Sequence, residues 1–249
     1  MARYDFRSCR LFVDAPLAAG ERIVLDRGQA NYLVNAMRLA AGDAVLLFNG
    51  RDGEWRADLS VASRKSIVLG VIEQTRPQTA PGDLRYLFAP LKHARLDYMV
   101  QKAVEMGVSA LHPVRTRHSQ VERLNLERMR ANAIEAAEQC GILSLPEIVG
   151  PTPFDELIAG WTAERLLVFC DEDAEVGDPV RALGRAGGAE ATPVSLLIGP
   201  EGGFAAEERA ALCRLPRVVR LSLGPRILRA DTAAVAALAL VQAALGDWR

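Results

Sequence analysis

Two short segments near the C-terminus carry the residue types and spacing that could do chemistry. The first is Ile198-Gly199-Pro200-Glu201-Gly202-Gly203-Phe204, with three glycines in five residues. Glycine lets a backbone approach a ligand closely or adopt positive φ, and Pro200 stiffens the turn. The segment lacks the GxGxxG spacing of a dinucleotide loop and the Lys-Ser/Thr of a P-loop, so a nucleotide polyphosphate is not its natural ligand. A tight strand-to-helix turn without a ligand fits the same residues. The second segment is Leu221-Ser222-Leu223-Gly224-Pro225-Arg226-Ile227-Leu228-Arg229-Ala230-Asp231-Thr232-Ala233. A Gly-Pro turn is followed by two arginines, and Asp231 or Thr232 can cap the helix behind them. Ile227 and Leu228 are apolar where a loop should be polar. Such a pair either plugs a core or lines a flat aromatic ligand. Arg229 or Arg226 could stabilise negative charge developing on a substrate, or simply pair with a neighbouring acid or a phosphate.

Other chemistries find less support. His93, His112 and His118 are not at metal-ligand spacing, and there is no HExxH, HxxxH or GxSxG; no metal is expected. Asp171–Asp178 (DEDAEVGD) has acidic composition without EF-hand register and reads as a solvated loop. Cys9, Cys140, Cys170 and Cys213 form no CxxC pair and are expected as buried free thiols in a reducing compartment.

The elements that must position these loops follow from periodicity. Residues 1–75 show β-rich runs at Leu11–Val13, Arg22–Leu25, Ala44–Phe48, Trp55–Val61 and Ser66–Ile72. Asn49-Gly50 and Asp52-Gly53 mark a hairpin. One helix is predicted over Gln29–Leu39, from the helical spacing of Tyr32, Leu33, Ala36 and Met37. Short, evenly spaced strands with one helix suggest a small β-barrel. The stretch Thr75–Asp83 (TRPQTAPGD) reads as a linker, which sets expected domains at 1–75 and 76–249. Beyond it, strands at Leu84–Ala89, Val108–Pro113, Leu166–Cys170, Pro193–Ile198 and Val218–Leu221 alternate with helices at Arg95–Met106, Leu126–Cys140, Ala205–Leu212 and Thr232–Leu245. Continuously apolar strands between helices predict an α/β domain with a parallel sheet covered on both faces. Both glycine-bearing loops then fall at strand ends, where open α/β sheets hold ligands.

The 249 residues carry 30 basic and 31 acidic side chains, net −1, and half are hydrophobic. A uniformly basic nucleic-acid coat and a disordered chain are thereby excluded. Residues 76–135 carry ten basic and six acidic side chains. That local excess suits an anionic partner or a solvated helix face. The longest apolar run, Ala233–Val241, is far short of the roughly 20 residues a membrane span needs. The start, MARYDFRSCRLF, has no apolar h-region. A cytoplasmic protein without a membrane is expected.

Together the two loops resemble the cofactor-binding segments of the RsmE-type ribosomal RNA methyltransferases of the SPOUT superfamily, IGPEGGF at 198–204 and LGPRILRADTA at 223–233. RLF at 10–12, MRLAAGDAVLLFNG at 37–50, QKAVEMGV at 101–108 and EAAEQC at 135–140 also match that family's pattern. The sequence departs at three places: Ala230-Asp231 stands for a common Thr-Glu, Asn31 for a usual His, and Ile142 for a usual Arg. The resemblance implies a PUA-like N-terminal barrel and a SPOUT-type C-terminal parallel sheet tied in a deep trefoil knot, a feature too rare for pattern reasoning to propose. It implies a homodimer that binds S-adenosylmethionine and methylates N3 of a uridine in 16S ribosomal RNA, free or within the assembled small subunit.

On that resemblance, Ile198, Gly199, Pro200, Glu201, Gly202, Leu221, Leu223, Gly224, Ile227 and Leu228 are the expected cofactor-binding residues. Arg229 and Glu201 are the catalytic candidates. Arg10, Arg38, Lys92, Lys102, Arg115 and Arg117 are candidate RNA phosphate contacts. The alternatives are another SPOUT enzyme acting on transfer RNA or a ribose 2′-OH, and an RNA-binding protein without catalysis. The helix Thr232–Leu245 (TAAVAALALVQAAL) is apolar nearly all round, so one of its faces is expected against its own sheet or against a second chain.

Overall fold

The computed structural model of the chain describes residues 8–63, 66–121, 123–175, 177–188 and 192–248. The first residues of the start segment and the side chain of His93 lie outside the described set. Two compact units are present: Met1–Ala80 with Ile134–Leu145, and Pro81–Ala133 with Pro146–Arg249.

The first unit is built on β1 (Arg10–Phe12), β2 (Arg22–Val24), β3 (Ala44–Phe48), β4 (Glu54–Ser63) and β5 (Ser66–Arg76). They form one sheet in the order β1-β3-β4-β5-β2, an open path among the described residues rather than a closed ring. Val45, Leu47, Ala57, Leu59, Leu69 and Val71 are its buried core. The β3–β4 hairpin turns where Asn49-Gly50 and Asp52-Gly53 placed it. Asn49 Oδ1 accepts from the N–H groups of Arg51 and Asp52. Gly53 is required, since a Cβ there would lie 2.3 Å from the carbonyl oxygen of Arg76.

The expected helix Gln29–Leu39 is shorter and wider. α1 (Arg27–Asn31) starts on an Asp26–Gln29 capping box and passes into a π-turn at Tyr32–Ala36. The Met37 and Leu39 N–H groups reach back to Tyr32 and Leu33 carbonyls. This widening re-phases the side chains, so Leu33 is fully buried while Tyr32 and Val34 also touch the core. Core contact wins over regular helix pitch.

The second unit contains β6 (Leu84–Phe88), α2 (His93–Glu105), β7 (Ala110–Arg115), α3 (Leu126–Cys140), β8 (Glu147–Ile148), β9 (Thr152–Pro153), α4 (Phe154–Ala159), β10 (Leu166–Cys170), α5 (Pro179–Ala186), β11 (Val194–Ile198), α6 (Ala206–Cys213), β12 (Val218–Leu221) and α7 (Ala230–Leu245). The last residues of α3, from Ile134, are grouped with the first unit. The sheet order is β12-β10-β11-β6-β7-β8, with β9 also on β7, and every pairing is parallel. Both Leu196 and Leu197 are fully buried on β11. Successive strand residues point to opposite faces, so both faces are covered, as the unbroken apolar strands predict.

Phe154 of α4 and Leu212 of α6 join Leu87, Leu167, Phe169 and Leu197 in one cluster. α7 packs on β11 between α2 and α5, and Gln242 Nε2 donates to the Met106 carbonyl at the end of α2. Much of the apolar surface of α7 is therefore met within its own unit. Thr232 and Ala243 are exposed, and Val235, Ala236, Ala239 and Leu240 are half-buried.

Short elements escaped the periodicity: α4, α5, β8 and β9. The acidic stretch 171–178 is not simply solvated. Asp171 is buried, and Asp178 caps α5 through the Arg181 N–H. The thiols also differ from expectation, because Cys140 and Cys213 are exposed.

Candidate functional site

The strand order sets β10, β11 and β12 side by side. Parallel direction puts their C-terminal ends on one edge, where the backbone must turn and its polar groups are free for a ligand. A cavity of about 360 Å³ opens there. Ile198, Gly199, Pro200, Glu201 and Gly203 line it from the loop after β11, and Leu221, Leu223, Gly224, Ile227 and Leu228 from the loop after β12. Two segments separated in sequence by α6 thus line one cleft.

The loop after β11 is shaped by close packing. Phe204 folds back on Gly199, where a Cβ would lie 2.9 Å from its ring. Phe204 also meets Phe169 edge-on at 6.0 Å. The Gly203 N–H closes a turn onto the Pro200 carbonyl at 2.9 Å, with Gly203 at φ +68°. Positive φ is accessible at low cost only to glycine. Gly202 differs: it is absent from the cavity lining and faces His118, whose Cβ would lie 3.4 Å from a Cβ added there.

In the loop after β12, Gly224 has φ +93°. Among the described residues, the N–H groups of Leu223, Gly224, Ile227 and Leu228 make no intramolecular hydrogen bond. Ile227 is fully exposed at the rim. Free N–H donors beside apolar side chains suit a flat heteroaromatic ring with polar edges.

Beneath the cleft, Asp171 accepts from Arg220 Nε at 2.8 Å and lies 3.3 Å from Arg209 Nε. Arg209 also pairs with Asp173. Two guanidinium partners offset the cost of burying the Asp171 carboxylate. The adjoining Cys170 thiol is pushed up to about 12, chiefly by burial and secondarily by Asp171. It stays protonated and is no nucleophile.

The expected catalytic pair separates. Glu201 lines the cleft, its Oε1 3.4 Å from Arg95 Nη1. Arg229 is exposed at the N-cap position of α7 and is absent from the lining, whereas Arg226 contributes to it. Of the two arginines raised as charge stabilisers, the fold brings Arg226 to the cavity.

The phosphate candidates are dispersed. Arg10 is a correction: it is 5% exposed, and its Nε donates to Glu54 at 2.9 Å inside the first unit. A buried guanidinium already paired with a carboxylate is not presented to phosphate. Arg38 is exposed and, among the described residues, is the non-glycine residue at positive φ, 58°. Lys92 is exposed at the N-cap of α2. Lys102 is half-buried, hydrogen-bonded to Glu105 and 5.6 Å over the Tyr98 ring. Arg115 is exposed and lines a polar cavity with Thr116, Ser119, Val121 and Arg123. Arg117 is exposed near Glu207. Of the departures from the family pattern, Asn31 accepts from the Asn35 amide at 2.7 Å, and Ile142 is half-buried.

Sequence reasoning missed Asp171, Glu172 and Arg209 in the cleft and the contact of His118 with the loop after β11. The end of β10 was a readable signal, since ligands gather at strand C-termini. Nothing in the sequence could place residues 116–121 against 202–203.

Among the described residues, no group of three His, Cys, Asp or Glu side chains could hold a metal ion, and no helix is long and apolar enough to cross a membrane. A family described as RNA methyltransferase domain matches residues 78–242, and an RNA methyltransferase PUA domain matches residues 25–72. The chain is 27% identical over 234 residues to ribosomal RNA small subunit methyltransferase E of Rickettsia conorii, covering 94% of both. It is 29% identical over 229 residues to the protein of that name from Synechocystis, covering 90% of this chain and 73% of that one. A Legionella pneumophila protein solved in complex with bound SAM superposes with TM-score 0.82 at 27% identity, over 96% of this chain and 98% of that one. Ribosomal RNA small subunit methyltransferase E of Neisseria gonorrhoeae, bound to S-adenosyl methionine, shares the fold at TM-score 0.84 and 24% identity, covering 98% and 100%.

Proposed function

Since the chain belongs to the RNA methyltransferase family, we propose that it transfers a methyl group from S-adenosylmethionine to N3 of a uridine in 16S ribosomal RNA, uracil 1498. The observation that carries this reading is the meeting of the two glycine-bearing loops in one cleft at the ends of β11 and β12. The cleft fits the methyl donor. Its volume is of the size that small-molecule sites take, and free backbone N–H groups stand beside Ile198, Leu221 and Leu228 for an adenine ring. Glu201 is placed for the donor's ammonium group.

When bound, the sulfonium supplies an activated methyl whose leaving group is a neutral thioether. The protein must therefore orient the base in line with that methyl and accommodate its proton. Arg226, at the cleft, and Arg229, next to Ala230 in its lining, are the cations for charge developing on the uracil oxygens. The reading includes a cofactor loop threaded as a trefoil knot, a homodimer, and a cytoplasmic protein acting on free RNA or the assembled subunit. Its expected domains are a PUA-like RNA-binding part at 1–75 and a methyltransferase part at 76–249. Arg38, Lys92, Lys102, Arg115 and Arg117 remain its candidates for RNA phosphates.

Mass mapping of modified nucleosides in 16S RNA from a deletion strain tests this reading. Loss of one N3-methyluridine, restored by the gene, supports it. Loss of a transfer RNA or ribose methyl group instead would place the chain among other enzymes of the fold. Failure to bind S-adenosylmethionine in calorimetry would make it an RNA-binding protein without catalysis.

A further inference from the structure

We propose that Nε2 of His118 is the base that takes the N3 proton of the target uracil, an inference that rests on the reaction proposed above. His118 lies on the loop after β7 and is exposed. Its Nδ1 is 3.2 Å from the Gly202 carbonyl oxygen and 3.1 Å from that of Gly203. A carbonyl oxygen only accepts, so Nδ1 must donate and carries the ring proton. In a neutral imidazole the lone pair then resides on Nε2. Nε2 has no hydrogen-bond partner among the described residues.

The ring is held in place from two directions. Gly203 both accepts from it and lines the cleft, while His118 itself stands beside that lining rather than in it. Its loop is tied down where the Arg117 N–H donates to Glu208 of α6 at 2.8 Å and the Thr116 N–H donates to Ser119 Oγ at 3.0 Å. Beside it, Arg115, Thr116, Ser119 and Arg123 line a polar cavity. Neither arginine has an ion-pair partner among the described residues, so the approach to His118 is open to a phosphate backbone. The charged groups around this region are Arg115, Arg117 and Arg123 beside the ring, Glu207 and Glu208 of α6, Glu201 paired with Arg95 of α2, and Glu172 against Gly203. Acids and bases are mixed there.

The transfer balances. The N3–H bond breaks and its proton moves to Nε2, giving an imidazolium. The N3–methyl bond forms as the sulfur–methyl bond breaks, with that electron pair leaving on sulfur as a neutral thioether. The imidazolium returns its proton to water after product leaves.

His118→Asn is the discriminating variant, because its amide N–H can replace Nδ1–H on the two carbonyls while nothing replaces Nε2. Expected is a fall in kcat of about 10²–10⁴-fold, with S-adenosylmethionine and RNA dissociation constants within about twofold of wild type. If the assignment holds, the wild-type kcat/KM should show an acid limb that rises with pH, and this limb should vanish in the variant. Nitrogen-15 NMR of the wild type should find the Nδ1–H tautomer, with a titration midpoint matching that limb. Near-wild-type turnover by His118→Asn, an Nε2–H tautomer, or a midpoint distinct from the kinetic limb would each overturn the assignment. The NMR measurement needs only the wild-type protein, so loss of cofactor binding in the variant does not spare the proposal. If the product is N3-methyluridine and the base assignment fails, the function stands. If the product is another nucleoside, the function itself fails.

Discussion

Glu54 carries three hydrogen bonds from two arginines, one from Arg10 and two from Arg76, and a fourth from Thr75. Burial pushes its carboxyl up, but the bonds from Arg76, Thr75 and Arg10 outweigh it and hold the group below its ordinary value. A depressed carboxylate contributes stability that is complete above its unfolded value and lost as pH falls through its folded one. Glu54→Gln should therefore cost about 3–5 kcal/mol in urea unfolding at pH 7, because Arg10 is left buried without a counter-charge. The variant should also lose less stability than wild type between pH 5 and pH 2; equal slopes would refute the pairing. His112 has the opposite chemistry but the same sign. Burial first, and Arg85 second, push its imidazole down, against Glu147. The folded state resists protonation, so stability should fall as pH drops below the unfolded value near 6.5. His112→Gln should flatten that part of the stability–pH curve.

Turns decide the site at the scale of elements. Gly203 sits at φ +68°, and a Cβ there would lie 2.9 Å from Glu172 Oε1. Gly203→Val should weaken S-adenosylmethionine binding at least tenfold and cost about 1–3 kcal/mol of thermal stability through backbone strain. Gly202 has no positive φ and borders His118 at 3.4 Å. Gly202→Val should disturb the His118 contact more than the cofactor wall, with a smaller loss of affinity. Calorimetry on the two variants separates them, and a larger loss at Gly202 would contradict the wall described here. Both glycines were visible as a cluster in the sequence. Which one lines the cleft was not, because that depends on how Phe204 and His118 pack against the turn.

For the whole molecule, α7 raises the question of assembly. Its Ala233, Ala234, Ala237, Leu238 and Val241 are buried within its own unit, which leaves a small-residue strip through Thr232, Ala236, Ala239 and Ala243. A two-fold pairing along such a strip would be self-complementary. Wild type should scatter light as a dimer at micromolar concentration, and Ala236→Arg with Ala243→Arg should yield folded monomers. A monomeric wild type, or a double variant that stays dimeric, would exclude this strip. In the first unit, Arg38→Glu should weaken RNA binding and reduce its salt slope by about 1 without changing cofactor affinity. An unchanged slope would remove Arg38 from the RNA surface.

The sequence by itself determined the alternation of strands and helices, the hairpin at Asn49–Gly53 and the two loops that carry the family likeness. These are local matters, set by side-chain periodicity, turn chemistry and caps, each readable within about a dozen residues. Only the tertiary structure decided that Arg10 is an internal counter-ion and Arg226, rather than Arg229, reaches the cleft. The same holds for Asp171 beneath the cleft and His118 against Gly202 and Gly203. Each of these depends on partners between 38 and 85 residues away or on the direction in which a loop leaves its strand. Burial and charge pairing are properties of the packed chain, and the one-dimensional pattern that specifies the strands does not state which side chains the finished sheet brings together.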